Sequence, residues 1–483
     1  MQTIPYCFGK YTANGWQDAA GETWETFNPA CPEEQTGRYT FTSPAELEAV
    51  IAAASSAQQA WGALPQIERL AHVSNFVTAI EQRKEEIARA IVLEQGKPLK
   101  EALGEVSKSC GEARMMMAFG SQPLGMIMPS ARAGWTNSVR YRPLGVVAAI
   151  TPWNFPVLTP MRKLAPALIF GNAIILKPSE FTPAAACLIA SCADDTLPAG
   201  VFQLITGDAV IGAQLVSHPQ VDGITFTGSV AVGKKIYQQA ATHLAKVSLE
   251  LGGKNAAIIH DYADLQAVIA AVTGAALACS GQRCTSISRV LVQRKHLAAV
   301  EAELVKQLSQ LVVGNGMTAD VSVGPLIHRP HLQKVDEMVR RAISEGARLA
   351  CGGESTKPGG AEQGFFYLPT LLCDVNSSME IAREEVFGPV ITLQAYDDFD
   401  QALAINNSVE YGLTSALFTQ DNGLVERFIQ GCQSGMIHIN HGTVPDNHMP
   451  FGGIKASGVG EYSVGPTAFR FYTTEHAVYN RYA

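Results

Sequence analysis

Five things are scarce or missing in this chain, and each absence narrows its chemistry. No run of lysine or arginine accumulates: 36 basic residues face 44 acidic ones, and the net charge of −8 is spread along the sequence. Nucleic acid is therefore disfavoured as a partner. Apolar stretches such as residues 267–278 fall short of the ~18 residues that mark a membrane span. The start, Met1 to Cys7, has neither the basic segment nor the apolar stretch of a secretory signal, so the expectation is a cytoplasmic protein with no membrane partner. Ten cysteines are scattered without metal-type pairs; no metal site is expected, and a chain this long has no need of disulfides. Lastly, no Gly-x-Gly-x-x-Gly follows a strand-like segment, so the usual dinucleotide fingerprint is missing.

What is present is a large core. Of 483 residues, 47% are hydrophobic and 17% charged, enough for two or three domains, since single cores stop growing near ~250–300 residues. From Gly145 onward, strand-like runs (146–150, 173–176, 201–205, 223–227, 247–251) alternate with helix-like ones (159–170, 183–193, 211–216, 233–245). That alternation predicts βαβ units and a parallel sheet, with ligands at the carboxyl ends of the strands. Before it the chain reads as mainly helical: Ser43-Pro44-Ala45-Glu46 forms a capping box with proline at the first helical position, and 71–93 continues the pattern. After about Asp261 the pattern restarts, with helices at 265–278 and 297–311 and a strand at 288–293, which predicts a second α/β domain. Residues 137–142 and 469–479 read as strands outside both units; exposed edges of that kind need covering, which favours an oligomer.

Two segments carry reactive groups. Cys284 lies in Gly281-Gln282-Arg283-Cys284-Thr285, and Glu250 in Leu249-Glu250-Leu251-Gly252-Gly253-Lys254-Asn255. A thiol and a carboxylate on separate segments suit covalent catalysis, in which sulfur attacks a carbonyl and the carboxylate later activates water. Taken alone, neither decides the matter, because free cysteine is commonly a small buried hydrophobe and glutamate a solvated surface group.

Their company along the chain does more. Thr151-Pro152-Trp153-Asn154-Phe155-Pro156, Leu176-Lys177-Pro178-Ser179-Glu180, Phe226-Thr227-Gly228-Ser229, the two segments above, Glu384-Glu385-Val386-Phe387-Gly388-Pro389 and Pro450-Phe451-Gly452-Gly453-Ile454-Lys455 occur in that order. Together they resemble the NAD(P)-dependent aldehyde dehydrogenase superfamily, nearest in feel to its succinate semialdehyde dehydrogenase-like branch, over nearly the whole chain. The resemblance implies an α/β fold with a Rossmann-type cofactor domain (1–121 and 144–252), a catalytic domain (253–455) and a small β oligomerisation arm (122–143 and 456–483) in a homodimer or homotetramer.

It also assigns roles. Cys284 is the nucleophile, Glu250 the general base and Asn154 the oxyanion donor; on residue type alone Asn154 equally suits a turn before Pro156. Gly228 and Ser229 open a helix where phosphate binds. Lys177, Ser179 and Glu180 follow a strand and hold a ribose, and a carboxylate there accepts from a 2′-hydroxyl but repels a 2′-phosphate, which favours NAD while leaving NADP open. Thr151, Pro152, Trp153, Leu251, Gly252, Glu385 and Phe387 complete the expected cofactor site. Arg162 matches an arginine that binds the distal carboxylate of succinate semialdehyde, though an interdomain ion pair accounts for it equally well. A further arginine common in that branch is replaced here by Ala278; Arg283 and His448 are the other candidates for a small-molecule aldehyde. The function so implied is NAD-dependent oxidation of a small anionic aldehyde to its acid. The alternatives are neutral aliphatic or aromatic aldehydes, a coenzyme A acylating reaction (disfavoured by Glu250), or a silent binding protein.

Overall fold

The computed structural model describes residues 6–122, 124–358 and 363–482. Its first large sheet has eight strands in the order Gly458–Gly460, Lys246–Glu250, Gly223–Thr227, Val146–Ile150, Ala173–Lys177, Phe202–Leu204, Lys10–Thr12 and Gly15–Gln17. Lys246–Glu250 through Phe202–Leu204 run parallel. Strands such as Ala173–Lys177, in which every residue is buried, read as continuous apolar runs because helices cover both faces.

The order of those strands locates a site. Among the parallel strands Val146–Ile150 comes first in the chain but lies in the middle, and successive strands add on one side before Gly223–Thr227 crosses to the other. Such a reversal opens a crevice at the carboxyl ends of the two diverging strands. The segments emerging there are Thr151 to Asn154 and Gly228-Ser229.

A second sheet of seven strands runs Arg348–Cys351, Thr370–Cys373, Val390–Tyr396, Ile287–Gln293, Asn255–Ile259, Thr414–Phe418 and Met436–Ile439, parallel except at its first edge. Cys284 lies just ahead of the central Ile287–Gln293. A third sheet joins Met126–Met128, Trp135–Pro143 and Thr473–Arg481. Two of its strands match the unplaced ones predicted above, although residues 469–472 turn as a short helix first.

Three further differences from expectation have physical causes. The N-terminal region is not mainly helical at its start: Tyr6–Phe8, Thr23–Asn28 and Cys31–Thr40 form a small sheet, and in Thr23–Asn28 every second residue, Trp24, Thr26 and Asn28, turns inward. The helical stretch 71–93 is two helices, Gln66–Gln82 and Lys84–Gln95, because Arg83 leaves helical geometry between them. Gly458–Gly460, placed above in the arm, instead pairs antiparallel with Lys246–Glu250 at the edge of the first sheet. The Ser43 capping box is present, with Pro44 at the first turn. Among the described residues no helix is long and apolar enough to cross a membrane, no group of acidic, histidine or cysteine side chains forms a metal cage, and all ten cysteines are free.

Candidate active site

Between the two large sheets lies a cavity of about 320 Å³. Cys284, Glu250 and Asn154 all line it, although they come from three segments of the chain. Glu250 ends the strand Lys246–Glu250, Asn154 follows Val146–Ile150, and Cys284 sits in the loop before Ile287–Gln293.

The loop that carries the thiol is tightly held. Cys279 (φ 55°), Ser280 (φ 57°) and Gly281 (φ 72°) occupy the left-handed region in succession, a conformation that side-chain-bearing residues keep only when neighbours enforce it. Here the Cys279 N–H donates to Glu101 Oε2 (2.8 Å) and Ser280 Oγ to the Gly324 carbonyl (2.9 Å). Gly281 presses on Gly388, where a Cβ would lie 2.1 Å from the carbonyl oxygen, so glycine is required. Asn255 Nδ2 donates to the carbonyls of Cys284 (2.7 Å) and Ser286 (2.8 Å), fixing the backbone that carries the thiol. Burial pushes the Cys284 thiol up to about 12, with Glu385 and Glu250 adding to the shift and Arg162 and Arg283 opposing it. The resting sulfur is therefore a thiol, and attack requires that its proton leave.

Asn154 is buried, and its Nδ2 donates to the Gln282 carbonyl (2.8 Å). This bond identifies which end of the amide is nitrogen and points its second N–H elsewhere. Glu250 is buried as well; its Oε1 accepts from Ser463 Oγ, and its carbonyl accepts from the Gly228 N–H (3.0 Å). Beside it Lys163 donates to Thr225 Oγ1 (3.0 Å), its ammonium pulled down to about 8 by burial.

The expected cofactor residues fall into three groups. Pro152, Trp153, Gly228, Ser229, Leu251, Gly252, Glu385 and Phe387 line the cavity with the nucleophile. Ser179 and Glu180 line a separate small recess with Trp24 and Phe41, while Thr151 and Lys177 are buried behind and line neither. Several features suit a dinucleotide. Ser229 caps the helix Val230–Ala240, whose first N–H groups offer an anion site. The buried Lys177 Nζ has the Pro178 carbonyl at 3.2 Å and Glu180 at 3.9 Å, which leaves it able to donate further. Glu385, pushed up to about 7 by burial, accepts from the Gly253 N–H (3.1 Å). Phe387 holds a positive φ of 60° while its carbonyl lies 2.7 Å from His331 Nε2. Burial lowers His331 to about 4, so the imidazole is neutral at physiological pH and donates through Nε2.

The cations at the other end are distributed differently from expectation. Arg162 lines the cavity, but Nε and Nη2 donate to the two oxygens of Glu112 at 2.7 and 2.8 Å, and the guanidinium lies 4.0 Å from the Phe451 ring centre. Its charge is largely answered within the protein. Arg283 is not so matched: Nη2 donates to the Ala275 carbonyl (3.1 Å) and Thr443 Oγ1 (3.3 Å), and Nε has no partner among the described residues. Lys108, not anticipated from sequence, also lines the cavity, 3.5 Å from Glu112 and bonded to the Pro445 carbonyl (2.7 Å) and Asn447 Oδ1 (3.1 Å). One lysine and one arginine thus face a single carboxylate among Lys108, Glu112 and Arg162, before Arg283 is counted. His448 is exposed and does not line the cavity; a turn closed by Met449 N and Asp446 O presents it outward, and Val444 and Pro445 of the same loop face the cavity instead. Lys108, Asn255, Gln282, His331 and Ser463 gave no sequence signal of their own, because each acts through a partner far along the chain.

Known proteins resemble this chain along nearly its whole length. Residues 16–478 match the model of the aldehyde dehydrogenase family. The chain is 36% identical over 463 residues to an alpha-ketoglutaric semialdehyde dehydrogenase of Bacillus subtilis, covering 95% of each protein. It is also 36% identical to an NADP(+) succinate-semialdehyde dehydrogenase of Escherichia coli, covering 92% of each. The structure superposes on that of the lactaldehyde dehydrogenase of Escherichia coli with a TM-score of 0.95, at 35% identity, covering 99% of this chain and 100% of the other.

Proposed function

Because the chain belongs to the aldehyde dehydrogenase family, we propose that it oxidises a small anionic semialdehyde to the carboxylic acid by covalent catalysis at Cys284. The observation that carries this reading is the convergence of a thiol, a carboxylate, an amide donor and an excess of cations on one cavity. The thiol gives up its proton to solvent as the sulfur attacks the aldehyde carbon, the free N–H of Asn154 donates to the oxygen as negative charge develops there, and loss of the aldehyde hydrogen as hydride leaves a thioester on Cys284. A nicotinamide dinucleotide, NAD or NADP in this family, supplies the hydride acceptor when bound; Ser229, Lys177, Glu180 and Glu385 are the residues that hold it. Glu250 takes the proton of the water that hydrolyses the thioester on Cys284.

The anionic tail of the substrate belongs with Lys108, Arg283 and the uncommitted Nη1 of Arg162. Relatives that act on semialdehydes of dicarboxylic acids favour the same charge. A homodimer or homotetramer is part of the proposal, supported by the fully exposed edge strand Met126–Met128, as is the division into cofactor unit, catalytic unit and arm. A cytoplasmic setting suits ten free thiols.

The test is NADH or NADPH absorbance with matched aldehydes: succinate, glutarate and α-ketoglutarate semialdehydes, a sulfonated aldehyde, and neutral aldehydes of equal length. Carboxylated substrates should show the highest kcat/KM with no need for coenzyme A. Preference for the neutral series would refute the charge argument, and a requirement for coenzyme A would refute the hydrolytic step.

A further inference from the structure

Beneath Asn154 lies a buried ion pair that the mechanism above does not use. Lys97 and Glu105 are each 1% exposed and bonded at 2.7 Å (Nζ to Oε2). Charges so deep are expensive to bury unless every remaining donor and acceptor finds a partner, and here the partners are informative. Lys97 Nζ also donates to the backbone carbonyl of Asn154 at 2.7 Å and lies 4.0 Å from the centre of the Phe155 ring. The second oxygen of Glu105 accepts the N–H groups of Val157 (2.9 Å) and Leu158 (3.0 Å), at the start of the helix Leu158–Ile169, where a negative charge is favoured by the helix dipole.

These bonds converge on one short segment. The Asn154 carbonyl takes a second, weaker donor from Cys279 Sγ (3.6 Å), and the side-chain amide is tied to Gln282 O. The residue is thus gripped by its carbonyl from one side and by its amide from the other, and the helix that follows is capped by the same carboxylate that neutralises Lys97.

We propose that Lys97 and Glu105 form a positioning pair that fixes Asn154 as the oxyanion donor, so that their charge is spent on geometry at the reacting oxygen and not on stability alone. This rests on the reading of Asn154 given above. Displacing a preorganised group by about 1 Å costs on the order of 100-fold in rate, and removing one oxyanion donor outright costs about 10²–10³. Loss of the pair belongs between no effect and the second figure.

The experiment measures two reactions of the same sulfur in Glu105→Gln, in the charge-neutral pair Lys97→Met with Glu105→Gln, in Asn154→Ala, and in Asn154→Ala combined with Glu105→Gln. One reaction is the pre-steady-state burst of reduced cofactor, which builds charge on the substrate oxygen; the other is alkylation of Cys284 by iodoacetamide, which does not. The charge-neutral pair guards against a Glu105→Gln protein that fails to fold around an unmatched ammonium. Expected are a burst rate lowered about 10- to 100-fold, alkylation within about twofold of wild type, unchanged cofactor affinity, and a combined variant no slower than Asn154→Ala, as coupled residues require. A normal burst in the folded variants, alongside a slow one in Asn154→Ala, overturns the proposal; so do parallel losses in both reactions, or losses that multiply in the combined variant. A normal burst in Asn154→Ala instead overturns the oxyanion reading itself.

Discussion

Replacing Arg162 with leucine should unsettle the fold well before it reports on substrate. The guanidinium makes two charge-assisted bonds of 2.7 and 2.8 Å to Glu112, and the two side chains are 9% and 5% exposed. Without Arg162, Glu112 keeps only Lys108, at 3.5 Å and itself partly solvated. Stranding one member of a buried pair costs about 3–5 kcal/mol, or roughly two to three and a half orders of magnitude in an unfolding equilibrium at 1.4 kcal/mol per tenfold. Removing both members, as in Arg162→Leu with Glu112→Leu, leaves only the partly exposed Lys108 without its carboxylate and should restore most of that loss. Urea unfolding followed by tryptophan fluorescence, at fixed protein concentration, gives the comparison directly. A single variant that loses less than about 1 kcal/mol, or a double variant no more stable than the single one, would refute the reasoning; both outcomes would mean that Glu112 and Arg162 are better solvated than their geometry implies.

Three other outcomes are expected. Alkylation of Cys284 in the enzyme without cofactor should accelerate about tenfold per pH unit between pH 7 and 9.5, because a thiol held near 12 exposes its thiolate in that proportion; a plateau anywhere in that range contradicts the raised value. Glu250→Gln should give a normal burst of reduced cofactor followed by slow release of acid, with steady-state turnover down about 10²–10⁴-fold, and wild-type turnover would remove Glu250 from deacylation. Lys108→Met should lower kcat/KM for carboxylated aldehydes about tenfold, the worth of ~1.4 kcal/mol of charge attraction, and leave neutral aldehydes of equal length alone; equal losses on both series would make Lys108 a structural residue.

How much of this was legible depended on how far apart the interacting residues lie. The central strands Val146–Ile150, a contiguous apolar run, and Gly223–Thr227, rich in β-branched and aromatic residues, were readable residue for residue, as was the Ser43 to Glu46 cap, whose bonds close within three positions. Cys284, Glu250 and Asn154, which meet in one cavity, were singled out by ordered motifs. Glu112, by contrast, sits 50 positions from Arg162, on a helix whose periodicity says only that one face is buried. Its pairing with the arginine, and the presence of Lys108 one turn earlier, are consequences of two helices packing. His448 failed for a related reason: its neighbours in sequence face the cavity, and only the turn at 446–449 decides that it does not.

The left-handed run at Cys279, Ser280 and Gly281 also bears on when the sulfur acquires its surroundings. The restraints upon it come from Glu101, Gly324 and Gly388, stretches of chain that meet only once both large sheets have docked. In the unfolded chain Cys284 is an ordinary cysteine, whereas the finished fold holds its proton more firmly. Docking of the sheets therefore quiets this sulfur while setting it beside Glu250 and Asn154, and a half-assembled molecule has the looser thiol without the company that would direct it.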